Sequence, residues 1–418
     1  MATWEQSRLG DLVETQKGYA FKSGWYSDAG RPIVKVSDFT TDSVDSSSLV
    51  CIPEEIAADY LKYELRVGDV VIQTVGSWPS NPASVVGKCV RIPSAAAGAL
   101  LNQNAVKLSP SKALDAQFLF YLLRCDDFKT YIIGTAQGAA SQAAITLEAI
   151  RSYEFAAPSL PVQRRIAGIM SAYDELMENS QRRIRLLEAM ARALYREWFV
   201  HFRFPGHEKG KMVRPLSHPS EGSAKTDGDI PQGWEVKPFS AIASYVNGYP
   251  FKPVQLGTEG KPIIKIKELK AGIVADTPRN LGDEIPEKYN IRDGDVLFSW
   301  SADLDTYLWM GGEGLLNQHL FNVVPFDGIS RAFCFHALKG SMPRFRALSL
   351  GATMHHIKRS ALDQVFTLLP PAALRKRFET LVEPMHHQLI TLTKHVENLR
   401  RTRDLLLPRL LSGQVEFL

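Results

Sequence analysis

The sequence predicts an α+β protein that is written twice in one chain. Three observations carry this: an internal repeat, short β-branched runs punctuated by turn residues in the first ~150 residues of each copy, and a long apolar stripe of helical spacing that closes each copy. At 418 residues the chain exceeds one ordinary core and calls for two or more folding units. With 45% hydrophobic, 22% charged and 10% aromatic residues it has the apolar surface to fold. No run reaches the roughly 18 uncharged apolar residues of a membrane span. The opening MATWEQSRLGDL lacks a basic-then-apolar leader, so a cytoplasmic protein is expected. Cys51, Cys89, Cys125 and Cys334 stand far apart and read as reduced packing residues.

The repeat comes first. Trp4 and Trp234 differ by 230 positions, and that offset also aligns Gly18-Tyr19-Ala20-Phe21-Lys22 with Gly248-Tyr249-Pro250-Phe251-Lys252. It continues through Gly30-Arg31-Pro32-Ile33-Val34-Lys35-Val36 and Gly260-Lys261-Pro262-Ile263-Ile264-Lys265-Ile266. Val67-Gly68-Asp69-Val70-Val71 then matches Asp293-Gly294-Asp295-Val296-Leu297 at offset 226, and Leu101-Asn102-Gln103 matches Leu316-Asn317-Gln318 at 215. By Ile145/Ile357 and Pro158/Pro370 the offset is 212, where it stays; the drift marks loop insertions in the first copy. Runs such as Pro32–Val36 and Gly68–Ile72, bounded by Gly, Pro, Asn and Asp, predict strands, and 115–123 predicts a helix.

Each copy ends in a stripe. In the first it is Val162, Ile166, Ile169, Tyr173, Leu176, Ser180, Ile184, Leu187, Ala191, Leu194 and Trp198. In the second it is Leu374, Phe378, Leu381, Met385, Gln388, Leu392, Val396, Leu399, Arg403, Leu406 and Leu410. Steps of three and four make a coiled-coil seam with a matching stutter at Ser180–Ile184 and Leu392–Val396. Each stripe needs a cover, and the economical one is the other stripe. Some 37 residues at about 1.5 Å each give a strut of roughly 55 Å between two similar heads. Pro384 is expected to kink or restart the second helix. The polar, Gly/Pro/Ser-rich stretch from Pro205 to Asp229 reads as a flexible connector.

The net charge of +4, from 49 Lys+Arg against 45 Asp+Glu, excludes a bulk polycation. Charge is concentrated instead: residues 162–203 carry eight Arg against five acids, and 374–411 carry eight basic residues against four acids. Such stripes either attract phosphate or form a solvated helix face. Catalytic signatures are missing: no phosphate loop, GxGxxG turn, HExxH, GxSxG or Asn-Pro-Pro-aromatic motif occurs, and Asn81-Pro82-Ala83-Ser84 lacks the second Pro and the ring. The doublets His355-His356 and His386-His387 point to different sides of a helix or strand, which disfavours joint metal ligation. Asp69 and Asp295, in Gly-Asp-Val contexts, read as turn setters. No catalysis by this chain is expected.

Two divergent heads with W…GYxFK, GxPIxKI, GDV, LNQ and a Pro-flanked basic start to each helix resemble the specificity (HsdS) subunit of type I restriction-modification enzymes. The resemblance spans essentially the whole chain, and Ile230-Pro231-Gln232-Gly233-Trp234-Glu235, Gly294–Ser299 and Leu411-Ser412-Gly413 add to it. The first copy lacks the Ile-Pro-x-Gly before its Trp, and 138–142 matches 351–356 with uncertain register. The resemblance implies two target recognition domains (1–157 and 230–369), spacer helices within 158–204 and 370–418 that pair as an antiparallel coiled coil with pseudo-twofold symmetry, and a linker at 205–229. Each head would read one half of an asymmetric, split DNA target while the helices fix the unread gap. The implied partners are double-stranded DNA, two methyltransferase subunits carrying S-adenosylmethionine and two ATP-driven, Mg-dependent restriction and translocation subunits. No cofactor or metal is implied in this chain.

Base edges are read by paired donors and acceptors, and phosphates are held by Lys, Ser and Thr. The candidates are Lys22, Lys35, Gln73, Ser77, Trp78 and Gln103 in the first head, and Lys252, Lys265, Lys267, Ser299, Trp300, Gln318, His319 and His355 in the second. The shared lysines 22/252 and 35/265 suit backbone contacts, since a residue kept in both heads cannot distinguish two half-sites. The loop 76–81 and its expected counterpart 299–303 suit base reading. Arg182, Arg183 and Arg185 face either DNA or a partner. Two other readings stay open: the same role in a related enzyme that cuts on both sides of its site, and a two-headed scaffold that binds proteins rather than DNA.

Overall fold

The computed structural model describes residues 4–79, 85–139, 142–214, 229–349 and 356–414. The chain divides into two compact units, 1–176 with 399–418, and 177–398. In the first, Val13–Lys17, Ala105–Pro110, Val70–Gln73 and Cys89–Arg91 form an antiparallel sheet in that spatial order. In the second, Ala243–Asn247, Leu320–Pro325, Val296–Ser299 and Asp305–Leu308 repeat the same order. A smaller sheet recurs as well, with Arg31–Val34 parallel to Leu100–Leu101 and Lys261–Ile264 parallel to Gly314–Leu316. Glu5–Arg8 pairs with Glu154–Ala157, and Glu235–Pro238 with Phe366–Leu369, drawing the ends of each head together. The duplication seen in the sequence is therefore a duplication of topology.

The turn reading of the two aspartates holds: Asp69 Oδ2 accepts from Arg66 N–H at 2.8 Å and Asp295 Oδ2 from Arg292 N–H at 2.9 Å. The helix expected over 115–123 is Ala116–Leu122, capped by Asp115, whose carboxylate accepts from Gln117 and Phe118 N–H. The four cysteines are free thiols, three of them buried.

The two long helices are Leu160–Phe199 and Ala372–Leu411, each 40 residues. In the first unit Ile166, Ala167 and Met170, from the start of the first long helix, share a core with Leu407 and Leu410, from the end of the second. In the second unit Ala191, Tyr195, Trp198 and Phe199 share a core with Phe378 and Val382. Start therefore meets end in one unit and end meets start in the other, which is antiparallel pairing. Ile169, Tyr173 and Leu406 flank the first core and Leu194 the second. Leu392 and Val396 are buried, while Ile184, Leu187 and Leu399 are half-buried.

Two stripe positions are corrected. Leu176 and Leu381 stand exposed at 51% and 44%, and their neighbours Met177 and Val382 are buried in their place. A helix turning every 3.6 residues drifts off a strict seven-residue seam, so the buried position advances by one. The second long helix also runs on through Pro384 without restarting. Pro384 and Thr380, whose carbonyl loses its N–H partner, both lie on the exposed face, where water can serve that carbonyl.

The stretch after the first long helix is likewise held at both ends in the second unit. Phe202 and Phe204 pack their rings 5.4 and 5.6 Å from Trp234, and Met212–Val213 pairs with Ile230–Pro231. The Gly/Pro/Ser content pointed to a loose connector, but the two phenylalanines supply burial that composition averages away; 215–228 lies outside the described residues.

Equivalent positions in the units carry different polar pairs. In the first, Asp174 accepts from Tyr121 Oη–H at 2.6 Å and from Arg403 Nη1–H at 2.7 Å, joining the head to both helices. The matching residues are His336 for Tyr121, His386 for Asp174 and Ala191 for Arg403. There His336 Nε2 lies 3.3 Å from His386 Nε2. Tyr195 stacks 5.8 Å from the His336 ring and Phe335 meets both imidazoles edge-on.

Burial, reinforced by His386 and Arg192, pushes His336 down from 6.5 to about 3, and burial, reinforced by His387, pushes His386 down to about 4. Both are neutral when folded and take up a proton readily when unfolded. Their stabilisation is full above pH 6.5 and is lost as pH falls toward the folded values. Denaturant midpoints measured from pH 7 to 4.5 are expected to fall over that window, and His386→Gln should flatten the fall; an unchanged slope would contradict it.

Candidate nucleic-acid interface

The repeated motifs of each head converge through backbone hydrogen bonds. In the first head Tyr19 N–H donates to Leu101 O, Asn102 N–H to Val34 O at 3.0 Å and Gln103 N–H to Tyr19 O at 2.8 Å. In the second, Tyr249 N–H donates to Leu316 O, Asn317 N–H to Ile264 O and Gln318 N–H to Tyr249 O, the last two at 3.1 Å. Gly-Tyr, Pro-Ile-x-Lys and Leu-Asn-Gln thus form one strip per head. The glycine is needed for the contact: a Cβ on Gly18 would lie 1.9 Å from Asn102 O, and one on Gly248 2.2 Å from Asn317 O.

Beside the strip lies a platform of rings. Tyr19 packs 5.1 Å from Phe21 and 5.4 Å from Tyr63, and Tyr249 packs 5.0 Å from Phe251 and 5.3 Å from Tyr289. Lys62 Nζ sits 5.0 Å over the Tyr63 ring and Lys288 Nζ 5.1 Å over Tyr289. These four residues are not among those the sequence singled out, although Lys62-Tyr63 recurs as Lys288-Tyr289 at offset 226, the same offset as the neighbouring Gly-Asp-Val. Lys22 and Lys35 join the first head's platform, 5.3 Å over Trp25 and 5.4 Å over Tyr26. Cationic groups on ring faces can hold phosphate while the rings supply apolar contact.

The expected residues divide. Lys22, Gln103, Lys252, Lys267 and His319 are exposed; Lys35, Lys265 and Gln318 are half-buried. Lys35 and Lys265 open equivalent turns, their N–H donating to Asp38 at 2.8 Å and Glu268 at 3.0 Å. Lys267 is engaged in an ion pair with Asp276.

Gln73, Ser77 and Ser299 are corrected: they are 0%, 9% and 0% exposed. Gln73 and Ser299 end central strands covered on both faces, where a side chain cannot reach a base edge. Gln73 Nε2–H donates to Val75 O at 2.9 Å and Ser299 Oγ–H to Ser301 O at 3.2 Å. Trp78 and Trp300 are half-buried and tied by their indole N–H, to Ala139 O at 2.9 Å and Asn247 Oδ1 at 3.2 Å, so they position loops rather than project from them.

Nor are these two tryptophans counterparts. Strand register pairs Gln73 with Ala105 and Ser299 with Leu320, which makes Thr74 the match of Trp300. His355 and positions 80–84 lie outside the described residues.

The assembled strip offers hydrogen-bond donors, acceptors and ring faces. Among the described residues no group of three or more His, Cys, Asp or Glu could hold a metal ion, and no helix is long and apolar enough to cross a membrane.

Residues 1–189 match the family model described as "Type I restriction modification DNA specificity domain". The chain is 22% identical to the type I restriction enzyme MjaIX specificity subunit of Methanocaldococcus jannaschii, over 75% of this chain and 72% of that one. It is 25% identical to the type I restriction enzyme HindI specificity subunit of Haemophilus influenzae, over 72% and 77%. Among solved structures, the S subunit of a type I restriction-modification system from M. genitalium shares the fold, with a TM-score of 0.58 and 15% identity over 97% of this chain and 96% of that one.

Gly18→Ala should force the Gly-Tyr and Leu-Asn-Gln segments apart at a cost of about 1–3 kcal/mol. Chemical denaturation checks it, and the same midpoint as the unaltered chain would show that the contact is slack.

Proposed function

We propose that the chain belongs to the family of type I restriction-modification specificity subunits and is the non-catalytic subunit that reads an asymmetric, bipartite DNA target. Each head reads one half-site, and the long helices set the unread spacer and dock the methyltransferase and restriction subunits. The observation that carries the reading is the recurrence, in two heads that share one four-stranded sheet order, of one strip joining Gly-Tyr, Lys and Asn-Gln beside a lysine-topped aromatic platform.

Lys22, Lys62, Lys252 and Lys288 are assigned to phosphates, because residues kept in both heads orient the duplex without distinguishing its halves. His319, which stands where the first head has Asn104, is assigned to base edges, while Gln103 and Gln318, kept in both heads, share the positioning role. The division into 1–157, 158–204, 205–229, 230–369 and 370–418 follows the same reading. S-adenosylmethionine, ATP and Mg belong to partner subunits, two for modification and two for restriction, in the cytoplasm. This chain's residues bind and orient; they make no bonds.

The test uses the purified chain with its methyltransferase partner and random duplexes. Affinity should fall about a thousandfold between roughly 50 and 200 mM salt if about six phosphates are held. Binding that ignores salt, or no binding, would favour a protein-binding scaffold. Exchanging residues 1–157 for another family member's first head should change one half of the methylated motif and leave the other.

A further inference from the structure

The most informative difference between the heads is at one backbone position. Thr74 N–H donates to Asn104 O at 2.8 Å and Thr74 O accepts from Ile145 N–H at 2.9 Å. Trp300 repeats both contacts, with its N–H 3.5 Å from His319 O and its O accepting from Ile357 N–H at 3.1 Å. The side chains then part company. The Trp300 indole is anchored on Asn247 and lies 5.9 Å from the His319 ring and 6.0 Å from Phe321.

The residues matching Asn247, His319 and Phe321 are Lys17, Asn104 and Val106. With threonine where the second head has tryptophan, a cavity of about 360 Å³ lies open beside Thr74, and Lys17, Gln103, Asn104 and Thr146 help to line it.

We propose that this cavity binds a purine ring, supplied from outside to the place that the second head fills with its own indole. Indole and purine share the outline of fused six- and five-membered rings, so the volume one head fills with carbon suits the other ring system. The lining fits the polar version. Ala105, Ile145 and Leu147 give apolar contact, while the Gln103 and Asn104 amides and the Thr74 and Thr146 hydroxyls offer donors and acceptors to ring nitrogens. Lys17 is the one charged residue in the lining, which suits the phosphate attached to such a ring and disfavours a cationic ligand. The inference rests on the DNA reading only for its source, a base unstacked from nucleic acid rather than a free nucleotide; the shared chemistry is a purine nucleotide.

Saturation-transfer NMR on the full chain, with AMP, adenosine and a short oligo(dA) as probes, tests it. Saturation of the purine protons of AMP is expected in the unaltered chain and should drop about tenfold in Thr74→Trp, which copies the second head's solution to the same backbone. Lys17→Ala should weaken AMP while leaving adenosine unchanged, and this second variant decides the matter if the tryptophan variant does not fold.

Competition of AMP by oligo(dA) assigns the source to nucleic acid, and absence of competition assigns a free nucleotide. Equal saturation in the unaltered chain and Thr74→Trp, or none in either, overturns the site. Duplex binding measured on the same preparations separates the two ideas: duplex binding without purine saturation removes only the cavity, and purine saturation without duplex binding removes only the DNA reading.

Discussion

Neither head closes its core without the helix of the other copy. In the first unit the first long helix contributes Ile166, Ala167 and Met170, and Leu407 and Leu410 arrive from the far end of the sequence to finish the same core. Fully burying a leucine contributes about 1.5–3 kcal/mol, so two leucines are a large share of the ~5–15 kcal/mol by which a domain is stable. The second unit uses Phe378 and Val382 in the same way with Tyr195, Trp198 and Phe199. Antiparallel pairing is thus a condition for two folded heads rather than an ornament on them.

The duplication leaves room for divergence where function asks for it. The strip and ring platform are kept in both heads, as the proposed task of holding a phosphate backbone twice requires. At the head–helix junction the two copies solve burial differently. A charged Asp174–Arg403 pair, both ends of which are hydrogen-bonded, occupies one, and a neutral imidazole pair occupies the other. Buried polar contacts that satisfy each other only in one alignment are a means of fixing register. Thr74 and Trp300 extend the same pattern beside the strip, where one backbone serves two differently shaped surfaces.

Most of the architecture was legible because repetition is visible without knowing what is repeated. The offsets of 230, 226, 215 and 212 placed equivalent strands before any strand was seen. The stripes identified both helices, yet a fixed three–four spacing chose Leu176 and Leu381 where Met177 and Val382 are buried, since a real helix drifts against a seven-residue pattern. The candidate interface was less legible. Residue type alone put Gln73 and Ser299 among the readers, although each ends a strand with both faces covered. Gaps in the repeat also hid the pairing of Thr74 with Trp300, because similarity of wording favoured the nearer Ser-Trp of 77–78 over the strand register that decides it.

The central dependence is that of the first head on the chain's last helical turns. Amide hydrogen exchange in the full chain and in a chain ending at Asn398 measures this directly. Protection in strands Val70–Gln73 and Ala105–Pro110 and in helix Ala116–Leu122 should drop by orders of magnitude on truncation, since Leu407 and Leu410 leave their core. Unchanged protection in those three elements would mean that the head is complete by itself, and the interdependence of heads and helices would be wrong.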